Sequence, residues 1–228
     1  MPFSALLDAN VLVPNALRDT LLRLAESDFY RPLWSPDIIA ETRRTILRLR
    51  PDIEPKRLDA MFSCMDEAFS DALITGYEPL VGGMTNDEGD RHVLAAAVVG
   101  RADVIVTSNV KHFPRHTLDP LSIEALEPDR FLCLQYDLAP SLVVYVIKEQ
   151  SADTGRSAGK PRLTVETLLN QLNTLGVPKF TSHIRGHLAG AKLHQRAPEV
   201  ASAKADAAAG ERVKTREGAA DDQAPTEV

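Results

Sequence analysis

The sequence predicts an α/β fold with a mostly parallel central sheet flanked by helices. Buried, strand-like runs alternate with stretches of helical spacing, and this alternation is typical of parallel sheets. The first strand is predicted over residues 3–8 and a second over 103–107 (DVIVT). Because parallel sheets bind ligands at the carboxyl ends of their strands, Asp8 and Thr107, which end these two runs, draw attention first.

Helices are predicted between the two strands. Apolar residues at helical spacing indicate a helix over about 15–27. The next helix has a strong start signal, because Ser35 can act as its N-cap and Pro36 fits the first helical position. Pro51 is expected to end that helix.

The middle of the chain predicts a third amphipathic helix, whose apolar face runs from Leu58 to Leu73. Residues 77–81 are expected to form a short strand, which Gly82-Gly83 breaks. A helix follows over about 88–100 and leads into the second strand.

The last third of the chain predicts a strand over 121–125 and a helix over 129–136, then a closing helix, a polar linker, two short helices and a tail. The tail is rich in Ala, Glu, Lys, Asp and Gly, so it is expected to be disordered. The predicted domains are an α/β core domain over 1–138, a C-terminal helical extension over 139–195 and the disordered tail over 196–228. The closing helix is placed at 139–150, the linker at 151–162, and the join of the two short helices at 176–178.

The composition excludes some classes of protein. A formal net charge of -6 and a pI of about 5.5 argue against a protein that coats nucleic acid through a broad basic surface. Cys64 and Cys133 lack the spacing of a zinc site or a disulfide framework. The sequence shows no signal peptide and no apolar run of about 18 residues, so a soluble cytoplasmic protein without membrane contact is expected.

Two separate acidic residues have both a functional and an ordinary explanation. Asp8 follows a buried strand, where it faces a cleft or simply caps a turn or helix. Glu41 borders the apolar stripe of its helix, so it needs a partner, since an unpaired buried charge is costly. That partner is either a metal ion or a nearby arginine, Arg44 or Arg48.

The segment from Asn86 to His92 is the richest in acids. Asp87 and Asp90 have the spacing of a capping box, so one of them can start the helix. Asp90 also shares a helical face with apolar residues, which points it inward. Carboxylates of this kind hold Mg²⁺ together with water and substrate phosphate, and such ions promote in-line attack on phosphodiesters.

Several of these stretches together resemble the PIN-domain nucleases. The resemblance rests on Leu6 to Leu12 (LLDANVL), on the helix with Ser35-Pro36 before Glu41, on Asp87 to Ala97 (DEGDRHVLAAA) and on Val104 to Pro114 (VIVTSNVKHFP). It covers about residues 3–135 and implies a Rossmann-like PIN fold and endoribonuclease activity. Many small bacterial members are VapC-like toxins that a cognate antitoxin inhibits.

The resemblance also implies roles for individual residues. Asp8, Glu41 and Asp90 match the catalytic, metal-binding acids, with Asp87 as a further metal ligand and Mg²⁺ or Mn²⁺ as cofactor. Thr107 and Asn109 match the polar, substrate-side positions near them. The implied partners are RNA, an antitoxin protein and a second copy of the chain in a homodimer.

The chain departs from the family pattern in one respect. Many members carry a further aspartate after the last core strand, where this chain has Asn109 and His112, and Asp87 is the residue expected to compensate. His112 is expected to position a neighbour or to lie on the surface. The basic stretch Arg43 to Arg57 either guides RNA or is a solvated helix face.

Two further functions follow from the same residues. The missing aspartate favours a PIN-fold module that binds RNA or a protein without cutting it. An aspartate-dependent phosphatase with Asp8 as nucleophile is the third hypothesis, although Asn10 stands where such enzymes carry a second aspartate.

Overall fold

A computed structural model describes residues 3–154 and 163–191. Its centre is a four-stranded parallel sheet with the strand order β2-β1-β3-β4. This confirms the predicted α/β class and the two predicted central strands. The strands are β1 (Ser4–Leu7), β2 (Arg31–Leu33), β3 (Val104–Val106) and β4 (Glu124–Leu126).

The two central strands are buried along their whole length and consist of apolar residues, except for Ser4 at the start of β1. Leu6 of β1 pairs with Ile105 of β3 on one side and with Leu33 of β2 on the other. Every residue of β1 and β3 is buried, as expected for a parallel sheet that is covered on both faces. Burial on both faces explains why neither strand alternates between apolar and polar residues.

Helices connect the strands, and further helices follow the last strand in the chain. Residues 178–191 are also helical. The other helices are α1 (Ala9–Leu12), α2 (Asn15–Glu26), α3 (Pro36–Leu49), α4 (Pro55–Ala68), α5 (Glu78–Val81), α6 (Arg91–Gly100), α7 (Arg115–Leu118), α8 (Pro128–Leu138), α9 (Pro140–Asp153) and α10 (Val165–Thr174).

The strong start signals in the sequence are confirmed. The Ser35 hydroxyl accepts a hydrogen bond from the Ile38 backbone N–H at 3.3 Å, and Pro36 is the first residue of α3. The helix ends at Leu49, two residues before Pro51. The two predicted short helices after the linker are also present, on either side of Gly176, whose positive φ ends α10.

Two predictions for the middle of the chain are wrong. The segment 77–81 contains the short helix α5 (Glu78–Val81) rather than a strand, because Pro79 suits a first helical turn and has no N–H for a sheet. Leu73 does not belong to α4, which ends at Ala68. Leu73 instead forms an isolated parallel bridge with Trp34, which extends the chain away from the helix axis.

Other boundaries shift by a few residues. The strand predicted over 121–125 is β4, at Glu124–Leu126, because Pro120 lies in a 3₁₀ turn that precedes it. The linker predicted to begin at residue 151 begins later, since α9 continues to Asp153. Strand β2 has no counterpart in the sequence-based prediction.

The described residues up to Ile184 belong to one compact unit, and a second unit begins at Arg185. The disordered tail predicted over 196–228, and most of the predicted linker, lie outside the described residues. The domain division at residues 138 and 195 stays a prediction. In the described part of the chain, no single helix is long and apolar enough to span a membrane; α8 and α9 reach that length only as a pair bent by 119°.

Candidate functional site

The candidate site lies where the two central strands end. Asp8 directly follows β1, and its backbone N–H donates to the Val106 carbonyl at 3.1 Å. Thr107 directly follows β3, and its N–H donates to the Leu126 carbonyl at 3.0 Å. The sheet ladder therefore continues through both residues and fixes their side chains next to each other.

The Asp8 carboxylate is held by three donors. Its side chain is buried, and Oδ2 accepts a hydrogen bond from the Thr107 hydroxyl at 2.7 Å. Oδ1 accepts from the Ala9 backbone N–H at 2.6 Å, which makes Asp8 the N-cap of α1. The Asn10 amide also donates to Oδ2. The helix-cap explanation from the sequence is therefore confirmed. Asp8 caps α1 and at the same time lies at the end of β1, in the candidate site.

Asn10 is a residue that the sequence did not single out as a support of the site. Its amide nitrogen donates to the Thr107 hydroxyl at 2.9 Å, and its amide oxygen accepts from the Ser108 N–H at 2.8 Å. Thr107 also accepts from the Asn109 N–H at 3.0 Å. These bonds tie the turn after β3 to α1. In the sequence, the signal for this role was the position of Asn10 two residues after Asp8.

Burial raises the pKa of Asp8 from 3.8 to about 6. The hydrogen bond from Thr107 works in the opposite direction and lowers this pKa, as does the bond from Ala9. The negative charges of Asp90 and Glu41 raise it further. Asp8 therefore shares one electrostatic environment with the two other acids that the sequence singled out.

Glu41 reaches the site from α3. Its Oε2 lies 3.8 Å from Nε2 of His92 on α6, and its side chain is 44% exposed. Neither Arg44 nor Arg48 pairs with Glu41 within the described residues, so the simple surface ion pair considered from the sequence is not present there. His92 was not singled out from the sequence, because a histidine inside an apolar helix carries no distinctive signal.

Asp90 and Asp87 lie at the start of α6 and have different roles. Asp87 caps a 3₁₀ turn over Glu88–Asp90 by accepting from the Gly89 N–H at 3.1 Å. Asp90 makes no capping bond. Its Oδ2 instead accepts a hydrogen bond from Nδ1 of His112 at 2.6 Å. One acid of the pair thus starts the helix, while the other is oriented by a histidine.

Asp87, Asp90 and His112 are close enough together, among the described residues, to hold a metal ion as they stand. One ligand atom from each lies within 4.8 Å of the others. His112 therefore contacts an acid at the site, which agrees with the positioning role expected from the sequence. The sequence alone could not show that it joins a potential ligand set.

Unpaired polar atoms accumulate in the same segment. Within the described residues, both amide atoms of buried Asn86 lack a hydrogen-bond partner, as do Nε of Arg91 and Nδ1 of His92. Buried polar groups are usually paired, so unpaired groups at a site mark places where water, an ion or a substrate atom can bind. All three residues flank or adjoin Asp90 in the chain.

The predicted site residues therefore divide into two groups. Asp8 and Thr107 are in direct contact, and Asp90 and Glu41 act on Asp8 through their charges. Asp87 joins Asp90 instead. Asn109 contributes its backbone N–H, and its side chain is half-buried. The catalytic, metal-binding and substrate roles of these residues stay predictions.

Comparison with known proteins identifies two segments. Residues 4–111 match the PIN domain family, and residues 128–186 match the family described as the VapC50 C-terminal domain. No solved structure matches the chain.

One similar protein is from Mycobacterium tuberculosis and is named "Putative ribonuclease VapC50". It is 43% identical over 117 residues, which are 50% of this chain and 64% of that protein. The match thus spans less than two thirds of the relative's length. The family match and the parallel sheet show that residues 4–111 form a PIN domain, and residues 128–186 resemble the C-terminal domain described from VapC50.

Proposed function

We propose that this protein is a metal-dependent endoribonuclease that hydrolyses RNA phosphodiester bonds. The observation that carries the proposal is that the charges of Glu41 and Asp90, from two distant parts of the chain, act on the buried Asp8 carboxylate at the end of β1. The name of the Mycobacterium tuberculosis relative includes the word ribonuclease, which supports the proposal.

The residues present fit a hard divalent cation such as Mg²⁺ or Mn²⁺. Such ions take carboxylate oxygens and water, and the site offers several acids whose charges are not neutralised by a lysine or arginine bonded to them in the described residues. We assign Asp8, Glu41 and Asp90 as its ligands, with Asp87 in support. His112, whose ring nitrogen belongs to the same ligand group as Asp87 and Asp90, is a further candidate ligand. When bound, the cation polarises the phosphodiester and makes nearby water more acidic.

The chain's own residues hold the ligands in place. Thr107 and Asn10 fix the Asp8 carboxylate, and the Thr107 bond favours its ionised form, which is the form that binds a cation. His112 fixes Asp90, and His92 lies beside Glu41. Histidine and carboxylate partners of this kind commonly orient metal ligands.

His112 also bears on the choice of cation. An imidazole nitrogen suits transition-metal ions better than Mg²⁺, whereas a carboxylate suits Mg²⁺ well. His112 lies in the ligand group with Asp87 and Asp90, at a position where many family members carry an aspartate. We therefore propose Mn²⁺ as the preferred cofactor and Mg²⁺ as the weaker one.

We extend the proposal to the biological setting. The protein is the toxin of a type II toxin–antitoxin pair, acts in the cytoplasm and is inhibited by a cognate antitoxin. A homodimer is the proposed assembly. These statements rest on the similarity to VapC proteins.

The test uses purified full-length protein and a fluorescent single-stranded RNA with Mg²⁺, Mn²⁺ or EDTA. We expect cleavage that requires the cation and is lost in Asp8→Asn and Asp90→Asn. Glu88→Gln is the matched control, because Glu88 lies in the same turn as Asp90, is exposed and does not belong to the ligand group. Equal cleavage by Asp8→Asn and the parent protein would contradict the proposal.

A second function is favoured by His112 alone. If the histidine weakens cation binding instead of redirecting it, the protein is a PIN-fold module that binds RNA or a protein partner without cutting. Calorimetry that detects RNA binding but no Mg²⁺ or Mn²⁺ binding supports this function. Restoring cleavage by His112→Asp would link the loss of activity to that one side chain.

A further inference from the structure

Two arginines of α3 lie on the same side of the helix as Glu41, a residue of the candidate site. Glu41, Arg44 and Arg48 are three and four residues apart, so they lie within about 60° of each other around the helix axis. With a rise of about 1.5 Å per residue, Arg44 and Arg48 follow Glu41 along the helix by about 4.5 and 10.5 Å. Because Glu41 lies beside His92, this side of α3 borders the candidate site.

The arginines of this segment differ in their partners. Arg43 pairs with Asp59 at 3.0 Å, and Arg50 pairs with Asp52 at 2.9 Å. Arg44 and Arg48 are exposed and have no ion pair with any residue that the structure describes. Arg43 also points away from Glu41, because it lies about 160° from it around the axis of α3.

An RNA strand needs such cations near this site. The chain has a net charge of -6, and the site itself places four carboxylates close to where a phosphate must approach. Repulsion between these carboxylates and the RNA backbone must be offset by local positive charge. In the other direction along α3, the residue one turn before Glu41 on the same side is Asp37, which is acidic.

We propose that Arg44 and Arg48 bind backbone phosphates of the RNA segment that extends from the site along α3. This inference rests on the proposed function, because it takes RNA as the ligand of the site. Guanidinium groups bind phosphate oxygens through two parallel hydrogen bonds and remain charged at all working pH values. The contacts are to phosphate, so they add affinity without selecting a base sequence.

The test measures RNA binding without cleavage. Full-length protein in EDTA is titrated into fluorescein-labelled single-stranded RNA, and fluorescence anisotropy gives Kd at several salt concentrations. We expect Arg44→Ala and Arg48→Ala each to weaken binding several-fold and to lower the slope of log Kd against log salt by about 0.7, the value for one phosphate contact on a single strand. Circular dichroism and thermal unfolding confirm that each variant is folded.

The control variants are Arg43→Ala and Arg50→Ala, which remove the same charge from the same segment. We expect them to change Kd by no more than about twofold, because each loses a surface ion pair with little net effect. Equal weakening by all four variants would show a diffuse charge effect and overturn the proposal. Unchanged RNA binding in Arg44→Ala and Arg48→Ala would also overturn the proposal and would favour a protein partner at this surface. The proposal is likewise overturned if the parent protein does not bind RNA.

These results separate the inference from the proposed function. Metal-dependent cleavage combined with an unchanged Kd in Arg44→Ala and Arg48→Ala rejects the phosphate contacts and keeps the nuclease. A selective loss of RNA binding in those variants, in a protein that does not cleave RNA, keeps the phosphate contacts and rejects the nuclease.

Discussion

The two halves of the candidate site are built differently. The sheet half, Asp8 with Asn10 and Thr107, lies at the ends of β1 and β3 and is joined by hydrogen bonds among its own members. The helix half consists of Glu41, Asp87, Asp90, His92 and His112. Its members are partly exposed, and its acids lie beside histidines.

This difference suggests a division of labour. In the sheet half, the carboxylate and its partners are also structural, because Asp8 caps α1 and Thr107 continues the sheet. Changes there affect folding and chemistry together. In the helix half, Glu41 comes from the middle of α3, and the other side chains come from the start of α6 and from 3₁₀ turns. None of them continues the sheet, so changes there should alter cation binding with little effect on stability. The following predictions test this division.

The largest difference is expected between Asp8→Asn and Asp90→Asn in the metal-free protein. The folded state holds the Asp8 proton more tightly than the unfolded state, since the pKa is about 6 rather than 3.8. The free energy of unfolding therefore falls as pH rises through this range, by up to about 3 kcal/mol. Asparagine does not ionise, so Asp8→Asn is expected to be more stable than the parent protein at about pH 7.5.

The measurement is urea unfolding in EDTA at about pH 7.5 and about pH 5. The advantage of Asp8→Asn should shrink at the lower pH, where the parent carboxyl is protonated. Asp90→Asn should differ from the parent protein by less than about 1 kcal/mol, because asparagine can still accept from His112. Comparable stability changes for both variants at both pH values would remove the distinction between the halves.

The next effect concerns Thr107→Val, which keeps the shape of the side chain but removes its hydroxyl. The Asp8 carboxylate and the Asn109 N–H both lose a partner. Leaving buried groups unpaired is expected to cost about 1–3 kcal/mol. The pKa of Asp8 should also rise further, because the Thr107 bond lowers it.

Asp8 must lose its proton to bind a cation. The increase of cation affinity with pH should therefore occur at a higher pH in Thr107→Val than in the parent protein. Calorimetric titration of Mn²⁺ between about pH 6 and 8 measures this. Thr117→Val is the control, since Thr117 is also buried and its hydroxyl contacts Thr85 instead of the site. A parallel pH dependence in both variants would argue against Thr107 as a support of Asp8.

A smaller effect is expected when His112 is replaced by aspartate, the residue that many family members carry. The change exchanges a nitrogen ligand for a carboxylate, so the ratio of Mn²⁺ affinity to Mg²⁺ affinity should fall, by about tenfold. Calorimetry with each cation gives the ratio directly. His116→Asp introduces the same charge four residues away at an exposed position, and an equal change in that control would reduce the effect to simple charge.

The sequence predicted the strands of the sheet half because their signals are local. Three apolar residues followed by Asp8, and three β-branched residues followed by Thr107, identify a strand and its end without any distant contact. Strand β2 was missed because its three residues include a charged residue and Pro32 but no β-branched residue, and because it depends on pairing with β1. A pattern so short has no periodicity to detect.

The helix half was harder to predict for a different reason. Asp90 and Glu41 could each be singled out from their helical positions, but their histidine partners come from other segments. His92 contacts a residue 51 positions earlier in the chain, and His112 contacts one 22 positions earlier. Only the folded arrangement brings these side chains together, so the sequence could rank the acids but could not pair them.

The smallest effect in this series is expected at Asp87. Asp87→Asn removes one charge from the ligand group, yet asparagine can still cap the 3₁₀ turn by accepting from Gly89. Cation affinity should fall a few-fold while stability stays unchanged, and Glu88→Gln in the same exposed turn should leave both unchanged. If Asp87→Asn instead loses stability and keeps its cation affinity, Asp87 belongs with the structural residues, and the ligands of the helix half reduce to Glu41, Asp90 and His112.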